Sequence, residues 1–378
     1  MKKKVTVSAV VVVVLAAVAL GVFLLLKGRK PVSQAEPPVP FVSEIISDNN
    51  SAAHRMVASY KPHDASKAIF VFGSRSRTQE VASALMDSDA FDNVDGSANP
   101  DGLKDLAGET ICTVTNFSDF GEMVNDGRLE DMRELTARNV ISAMDTLCYV
   151  SPYDRSGMGK KPLAKLIVLG SACMTQYGRY DVDSLFNALN CELPVLSPMQ
   201  LIVDEAIRMS KGKKIISVGV LAGNAPVDIY GPYIKGCAAK EGIDSVLCVG
   251  FKAPEGEDPL LSFLDRYSEL GINRPLDAIL VDDLGVDLAS FNESLGRITS
   301  VMNAESLTYG NLISPGFRIV DSRSRICNAV YSILRSQNLF THQISQPRQL
   351  DYMLIPREEN EKELMLLQYN ERYIPKNN

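Results

Sequence analysis

The chain has 378 residues, of which 46% are apolar and 22% are charged. This composition is typical of a globular protein and excludes a disordered or collagen-like chain. The formal net charge of −7 argues against nucleic acid as the main partner, because the chain has no excess of basic residues to bind phosphates.

The chain begins with an apolar segment that is long enough to cross a membrane. Residues 5–26 carry no charge, and three lysines precede them. At about 1.5 Å per helical residue, the segment spans roughly the 30 Å of a hydrocarbon core. Basic residues follow it, where a cleavage site would need small ones. We expect residues 1–30 to be an uncleaved signal anchor that crosses the inner (cytoplasmic) membrane once, with the body in the periplasm. The alternative is a cleaved signal peptide.

The rest of the chain divides into a linker, two lobes and a tail. Residues 31–65 are a Pro-rich tether and arm. From residue 68, apolar runs that predict strands alternate with amphipathic runs that predict helices, which indicates parallel sheets covered on both faces. We expect a first α/β lobe at 66–198, completed by 317–341, and a second at 199–316. Residues 342–378 are predicted to be a polar tail, with a helix at 358–369. The predicted strands are Ala68–Phe72, Thr110–Val114, Leu166–Leu169, Pro194–Leu196, Ile215–Leu221, Ser245–Val249, Ala278–Val281 and Phe317–Val320.

Ligands of parallel α/β sheets bind beyond the carboxyl ends of the strands, so the loops that follow strands are candidate sites. After the first strand, Ser74, Arg75 and Ser76 stand at a predicted helix start. Backbone amides and guanidinium groups there can bind an anion, and Arg77 extends this basic segment. The alternative is an ordinary N-capped helix with surface arginines.

One of the seven cysteines lies at a strand end. Cys173 follows the strand Leu166–Leu169 and precedes Thr175 in a polar loop. A helix N-terminus can activate such a thiol as a base or nucleophile. The alternative is a small buried side chain, and we assign that role to the other six cysteines.

Two later loops are further candidates. Gly223 and Asn224 form a turn after Ile215–Leu221, either as a ligand loop or as a structural connector. Asp282 and Asp283 follow another strand, where carboxylates can exchange protons, cap a helix or bind a cation. The three histidines are scattered and no paired-cysteine spacing exists, so we expect neither a metal nor a cofactor.

Several of these segments, in this order, resemble motifs of the aspartate/glutamate racemase superfamily. The resemblance covers roughly residues 66–340. It is carried by Ala172-Cys173-Met174-Thr175, Leu193-Pro194-Val195-Leu196, Val218-Gly219-Val220-Leu221-Ala222-Gly223 and Arg318-Ile319-Val320-Asp321-Ser322. It implies two pseudo-symmetric α/β lobes that each contribute one catalytic Cys, with Cys173 as the first.

The second family motif, Leu-Gly-Cys-Thr, is altered here. The matching stretch is Leu280-Val281-Asp282-Asp283-Leu284, and we place Asp283 at the Cys position. The resemblance then implies a racemase-like isomerase with one thiol, in which Cys173 and Asp283 act on a small carboxylated, amino-acid-like molecule. Ser74, Arg75, Ser76, Thr175, Gly223 and Asn224 are the predicted ligand-binding residues. The alternative is a non-catalytic periplasmic solute-binding or sensing protein. The oligomeric state stays open.

Overall fold

The computed structural model contains two β-sheets with helices packed on their faces. It describes residues 37–116, 118–153, 157–223, 227–252, 258–300, 304–341, 345–357 and 363–369. The strands, in chain order, are β1 (Ala68–Gly73), β2 (Thr110–Asn116), β3 (Leu147–Tyr149), β4 (Met158–Lys160), β5 (Ala164–Leu169), β6 (Val195–Leu196), β7 (Ile215–Ala222), β8 (Ser245–Lys252), β9 (Leu276–Asp282), β10 (Ile313–Asp321), β11 (Arg348–Pro356) and β12 (Leu364–Tyr369).

The larger sheet has eight strands in the order β4-β3-β12-β11-β2-β1-β5-β6, and the smaller has four in the order β10-β9-β7-β8. All pairs in the smaller sheet are parallel. In the larger sheet, only β11–β12 and β3–β4 are antiparallel. The predicted α/β fold with parallel-dominated sheets is therefore confirmed, although eight strands against four make the two lobes unequal.

Helices connect the parallel strands and cover both faces of the sheets. They are α1 (Pro40–Ser47), α2 (Ala52–Ala58), α3 (Arg75–Asp87), α4 (Phe120–Asn125), α5 (Leu129–Ser142), α6 (Arg179–Leu189), α7 (Pro198–Met209), α8 (Tyr230–Lys240), α9 (Pro259–Glu269), α10 (Leu288–Thr299), α11 (Ala304–Tyr309) and α12 (Ser322–Ser336). Local sequence sets several starts. Ser197 caps α7 by accepting a hydrogen bond from the Gln200 amide, and Pro198 occupies the first turn, where its missing N–H costs nothing.

The C-terminal segment differs from the prediction. The polar tail expected at 342–378 contributes β11 and β12 to the larger sheet, and the helix predicted at 358–369 is wrong because residues 364–369 form a strand. Strand β11 pairs in parallel with β2, about 240 residues earlier in the chain. Burial of Tyr352, Leu354 and Leu366 in the core stabilises this pairing. Because the two strands are far apart in the chain, no short stretch of sequence indicates that they pair.

The boundary predicted between residues 316 and 317 falls inside a strand. Strand β10 pairs with β9, so residues 317–321 belong to the smaller sheet. The helix that follows, α12, buries Ile326 and Val330 against Ile69 and Val71 of the larger sheet. Only the helical part of the 317–341 segment therefore completes the first lobe.

The N-terminal arm packs against the body through α1 and α2. Val42, Ile45 and Val57 are buried in the main core. The buried carboxylate of Asp181 accepts a hydrogen bond from the Val39 amide (2.8 Å) and pairs with Arg133. The predicted membrane segment at residues 5–26 lies outside the described residues, and no helix within the described ranges is long and apolar enough to span a bilayer.

Candidate functional site

A cavity opens at the carboxyl ends of strands from both sheets. About 490 Å³ of empty space lies in and at the mouth of this cavity, open solvent included. Its walls come from the loops after β1, β2 and β5 in the larger sheet and from the end of β9 in the smaller one. The lining residues are Ser74, Arg77, Asp119, Phe120, Gly121, Gly170, Ser171, Ala172, Cys173 and Asp282. The cavity therefore lies where α/β folds bind ligands.

A buried arginine forms one wall of this cavity. Arg77, in the first turn of α3, is 8% exposed, and its Nε donates a hydrogen bond to the Gly170 carbonyl (3.1 Å). One terminal nitrogen pairs with the carboxylate of Asp282, and the other donates to Glu80 (3.4 Å). Burial is the largest single effect and opposes the charge of Arg77, but Asp282, Tyr230 and Glu80 together outweigh it, and the pKa of Arg77 is raised. The guanidinium therefore stays charged and binds the two sheets together.

The partner of Arg77 ends one of the two inner strands of the smaller sheet. Asp282 is the last residue of β9 and is 5% exposed. Its second carboxylate oxygen accepts a hydrogen bond from the hydroxyl of Tyr230 (2.5 Å). Burial, then the charge of Asp282, raises the pKa of Tyr230 well above its usual value, so this phenol keeps its proton and acts as a donor. Arg77 and Tyr230 thus fix the orientation of the Asp282 carboxylate.

Cys173 lines the cavity from the opposite sheet. It lies in a helical segment after β5, ahead of a π-helical turn at Met174–Gly178, and it is 2% exposed. Burial raises the pKa of its thiol to about 11; a hydrogen bond with Ser171 lowers this pKa only in part, and nearby Asp119 raises it further. The expected activation by a helix N-terminus is therefore outweighed by desolvation, and at neutral pH the group is a protonated thiol.

The structure places Asp282, rather than Asp283, in the cavity wall. Asp283 is the first residue of the loop after β9, and its carboxylate accepts a hydrogen bond from the Gly285 amide (2.9 Å). A Cβ atom built on Gly223 would lie 2.7 Å from the same carboxylate. The alternation of side chains along a strand explains this, because neighbouring residues point to opposite sides.

Only part of the predicted anion-binding segment lies at the cavity. Ser74 lines the cavity, whereas Arg75 and Ser76 are exposed in the first turn of α3. The Ser76 hydroxyl lies 3.5 Å from that of Ser74. Arg77, which the prediction placed only as an extension of this segment, is the basic residue that reaches the cavity.

Two further predicted ligand residues, Thr175 and Gly223, lie outside the cavity wall. Thr175 is buried, with its hydroxyl 2.6 Å from that of Ser197 and bonded to the Ser171 carbonyl (3.1 Å). Gly223 lies against Asp283, as described above, and Asn224 lies outside the described residues. Thr175 therefore supports the Cys173 loop from inside the protein.

Sequence reasoning missed a loop that contributes three residues to the wall. Asp119, Phe120 and Gly121 lie at the start of α4, and Asp119 caps this helix by accepting a hydrogen bond from the Glu122 amide (2.9 Å). The pattern Asp119–Glu122 is a helix-start signal that would have located this loop. In the described part of the chain, no group of three His, Cys, Asp or Glu side chains is placed to hold a metal ion.

Comparisons with known proteins give structural matches only. No family model and no curated protein matches the sequence. Glutamate racemase isoform RacE1 from Bacillus anthracis is similar in structure, with 13% identity, coverage of 76% of this chain and 88% of that chain, and a TM-score of 0.41. Glutamate racemase from Campylobacter jejuni subsp. jejuni has 13% identity and a TM-score of 0.39, and the match covers 77% of this chain and 94% of that chain. Arylmalonate decarboxylase has 14% identity and a TM-score of 0.31, and the match covers 73% of this chain and 93% of that chain.

Proposed function

We propose that the protein binds a small carboxylated molecule in the cavity between the two sheets and moves a proton at a carbon next to its carboxylate. The observation that carries this proposal is that one cavity is lined by a thiol from one sheet and a carboxylate from the other, Cys173 and Asp282. Proton transfer at a carbon needs an acid and a base that both reach the substrate.

The two groups have different chemical environments in the cavity wall. The Cys173 thiol keeps its proton because burial raises its pKa to about 11. The Asp282 carboxylate receives hydrogen bonds from Arg77 and Tyr230. In this arrangement Asp282 removes a proton, or stabilises the charge that develops, while Cys173 donates a proton. The two groups therefore have unequal roles, and Cys173 is an acid rather than an activated base.

Arg77 supplies a place for the substrate carboxylate. A guanidinium carries five N–H donors, and the contacts with Gly170, Glu80 and Asp282 use three of them. Within the described part of the chain, two donors are left for a carboxylate in the cavity. The amides that begin the helical segment at Ala172 and Cys173 lie in the same wall, and such amides favour an anion.

Hydrogen exchange in D₂O tests this proposal. The purified protein is incubated with glutamate, aspartate, alanine and malonate, and loss of the proton next to the carboxylate is followed by NMR. We expect exchange with at least one of them, reduced at least about 100-fold in Cys173→Ala, since general acid catalysis contributes about that much. Cys191→Ala is the matched control, because Cys191 is a partly buried thiol outside the cavity wall.

The alternative function, solute binding without chemistry, gives a different result in the same experiment. A compound that binds by calorimetry but shows no exchange above buffer favours a binding protein. The near-complete burial of Cys173 is the observation that favours this alternative.

We propose from the sequence that residues 5–26 anchor this body to the inner membrane, with the cavity on the periplasmic side. The uncharged length of the segment and the basic residues at both of its ends support this proposal. Extraction of membranes with alkaline carbonate, followed by protease treatment of spheroplasts, tests it. We expect the chain to stay with the membrane and the body to be digested from outside.

A further inference from the structure

Three of the four sheet edges carry features that prevent pairing with another strand. The larger sheet ends in β4 and β6, which have only three and two residues. The smaller sheet ends on one side in β10, which contains Pro315 and Arg318 and has a register irregularity between Ile313 and Arg318. Short length, proline, charge and irregularity are the devices by which proteins protect sheet edges.

The fourth edge, β8, lacks these protections along all but its last residue. Its eight residues pair with β7 in one continuous register, from Ile215–Ser245 to Ala222–Lys252. It contains no proline, and its only charged residue is Lys252 at the end. Among the strands of the described residues, none pairs with its outer edge. An eight-residue strand leaves about 26 Å of backbone open to another strand.

The side chains of β8 are also exposed more than those of a covered strand. The six residues Val246 to Phe251 are all of intermediate burial, whereas seven of the eight residues of the neighbouring β7 are buried. Apolar residues of β8, such as Val249 and Phe251, pack only partly against the core. A second strand at this edge would bury them further.

We propose that β8 pairs with β8 of a second copy of this chain, antiparallel and about a two-fold axis at Cys248. Antiparallel pairing about this residue places Asp244 opposite the partner's Lys252. The two-fold axis places Lys252 opposite the partner's Asp244 in the same way, so the interface contains this charge pair twice. Val246 then lies opposite the partner's Gly250. The Asp244 side chain is exposed, and its ion pair within the described residues is a long surface contact with Lys214 (3.6 Å), so it is accessible to a partner. This charge complementarity favours a second copy over an unrelated strand.

The two-fold axis places the two Cys248 residues directly opposite each other, which allows a chemical test. Residues directly opposite each other in antiparallel strands have Cα atoms about 4.5–5.5 Å apart, within the range that a disulfide accepts. The two Cys248 side chains would therefore cross-link when an oxidant is added. Their pKa is raised to about 11 by burial, so the reaction is best run at alkaline pH.

Oxidation with copper phenanthroline tests the proposed interface. The full chain in detergent is oxidised at pH 8.5 and run on a non-reducing gel. We expect a cross-linked dimer in the wild type and in Cys237→Ser, a control at another partly buried thiol, and at least a tenfold loss of dimer in Cys248→Ser. Equal cross-linking in Cys248→Ser and wild type would overturn the proposal.

A charge exchange tests the same interface without a cysteine. Lys252→Glu places like charges opposite each other, and we expect the dissociation constant of the dimer, measured by sedimentation, to rise at least tenfold. Asp244→Lys combined with Lys252→Glu should bring it back to within about threefold of wild type. Lys240→Glu, an exposed change in α8 and outside β8, should leave it unaltered. A wild-type chain that stays monomeric at 100 µM, or a double variant as weak as the single one, contradicts the pairing.

Discussion

Arg77 and Asp282 form a buried ion pair between residues that are 205 positions apart in the chain. Arg77 enters from α3 on the larger sheet, and Asp282 ends β9 in the smaller sheet. Their side chains are only 9% and 3% exposed. The pair therefore links the two sheets at the cavity and orients the carboxylate that the proposed reaction uses.

Loss of one partner should destabilise the protein more than loss of both. Arg77→Met leaves the Asp282 carboxylate buried without its cation, and we expect the free energy of unfolding to fall by about 3–5 kcal/mol. Arg77→Met combined with Asp282→Leu removes both charges and should cost less than Arg77→Met alone. Urea denaturation measures these differences, and strictly additive losses would contradict the coupling of the two residues.

The reactivity of Cys173 should follow its raised pKa. A thiol with a pKa of about 11 is about 100-fold less ionised at pH 8 than one with a pKa of about 9, so alkylation by iodoacetamide should be slow at pH 8 and rise through pH 10. Mass spectrometry of the peptide that contains Cys173 gives the rate at each pH. A rate that levels off near pH 7 would mean that the thiol is activated, contrary to the structure.

Lys161 should make stability rise with pH in the alkaline range. Burial lowers its pKa to about 8, from 10.5 in an ordinary lysine. Between these two values the unfolded chain binds the proton and the folded chain does not, so raising the pH favours the folded state. The gain is about 3 kcal/mol from pH 8 to pH 10.5, and below pH 8 it is absent.

Comparison with Lys161→Met isolates this effect from other groups. Both proteins also carry Cys112→Ala and Cys148→Ala, because these two nearby thiols interact with the charge of Lys161 and would not cancel in the difference. Denaturation curves of the two proteins at pH 7, 8, 9 and 10 provide the measurement. A difference in stability that does not change with pH would show that Lys161 titrates normally.

Gly178 should tolerate no side chain, because it ends the π-helical turn behind Cys173 in close contact with α5. A Cβ atom there would lie 2.4 Å from the Thr136 hydroxyl oxygen and 2.5 Å from its Cβ. We expect Gly178→Ala to lower the free energy of unfolding by about 1–3 kcal/mol through overpacking.

The matched control is Gly296→Ala in α10, where a Cβ atom meets nothing within 4 Å. Alanine is favoured over glycine inside a helix, so this change should stabilise the protein by about 0.5–1 kcal/mol. Thermal unfolding of both variants compares them, and equal effects of the two substitutions would contradict the packing described for Gly178.

The sequence predicted those parts of the fold that a run of apolar residues within one short segment indicates. Strands such as Ala68–Gly73, with all six residues buried, read as continuous apolar runs, and their alternation with helices predicted parallel sheets. The pairing of Arg348–Pro356 with Thr110–Asn116 depends on residues far apart in the chain. A half-polar segment of this kind becomes recognisable as a strand only when its neighbour is known.

The site was predicted in part for a similar reason. Cys173 was found because it follows an apolar strand. The choice between Asp282 and Asp283 depends on where β9 ends, and a shift of one residue reverses the direction of the side chain. The pairing of Arg77 with Asp282 brings together two distant loops, and each of these residues alone reads as an ordinary surface charge.

The most direct test compares Asp282→Asn with Asp283→Asn in the D₂O exchange experiment. If Asp282 is the residue that acts opposite Cys173, Asp282→Asn should lower the exchange rate at least about 100-fold, and Asp283→Asn should keep it within about threefold. Both variants must first show a folded circular dichroism spectrum, since Asp282→Asn also breaks the pair with Arg77. Retained exchange in Asp282→Asn together with its loss in Asp283→Asn would contradict the assignment of the cavity as the reaction site.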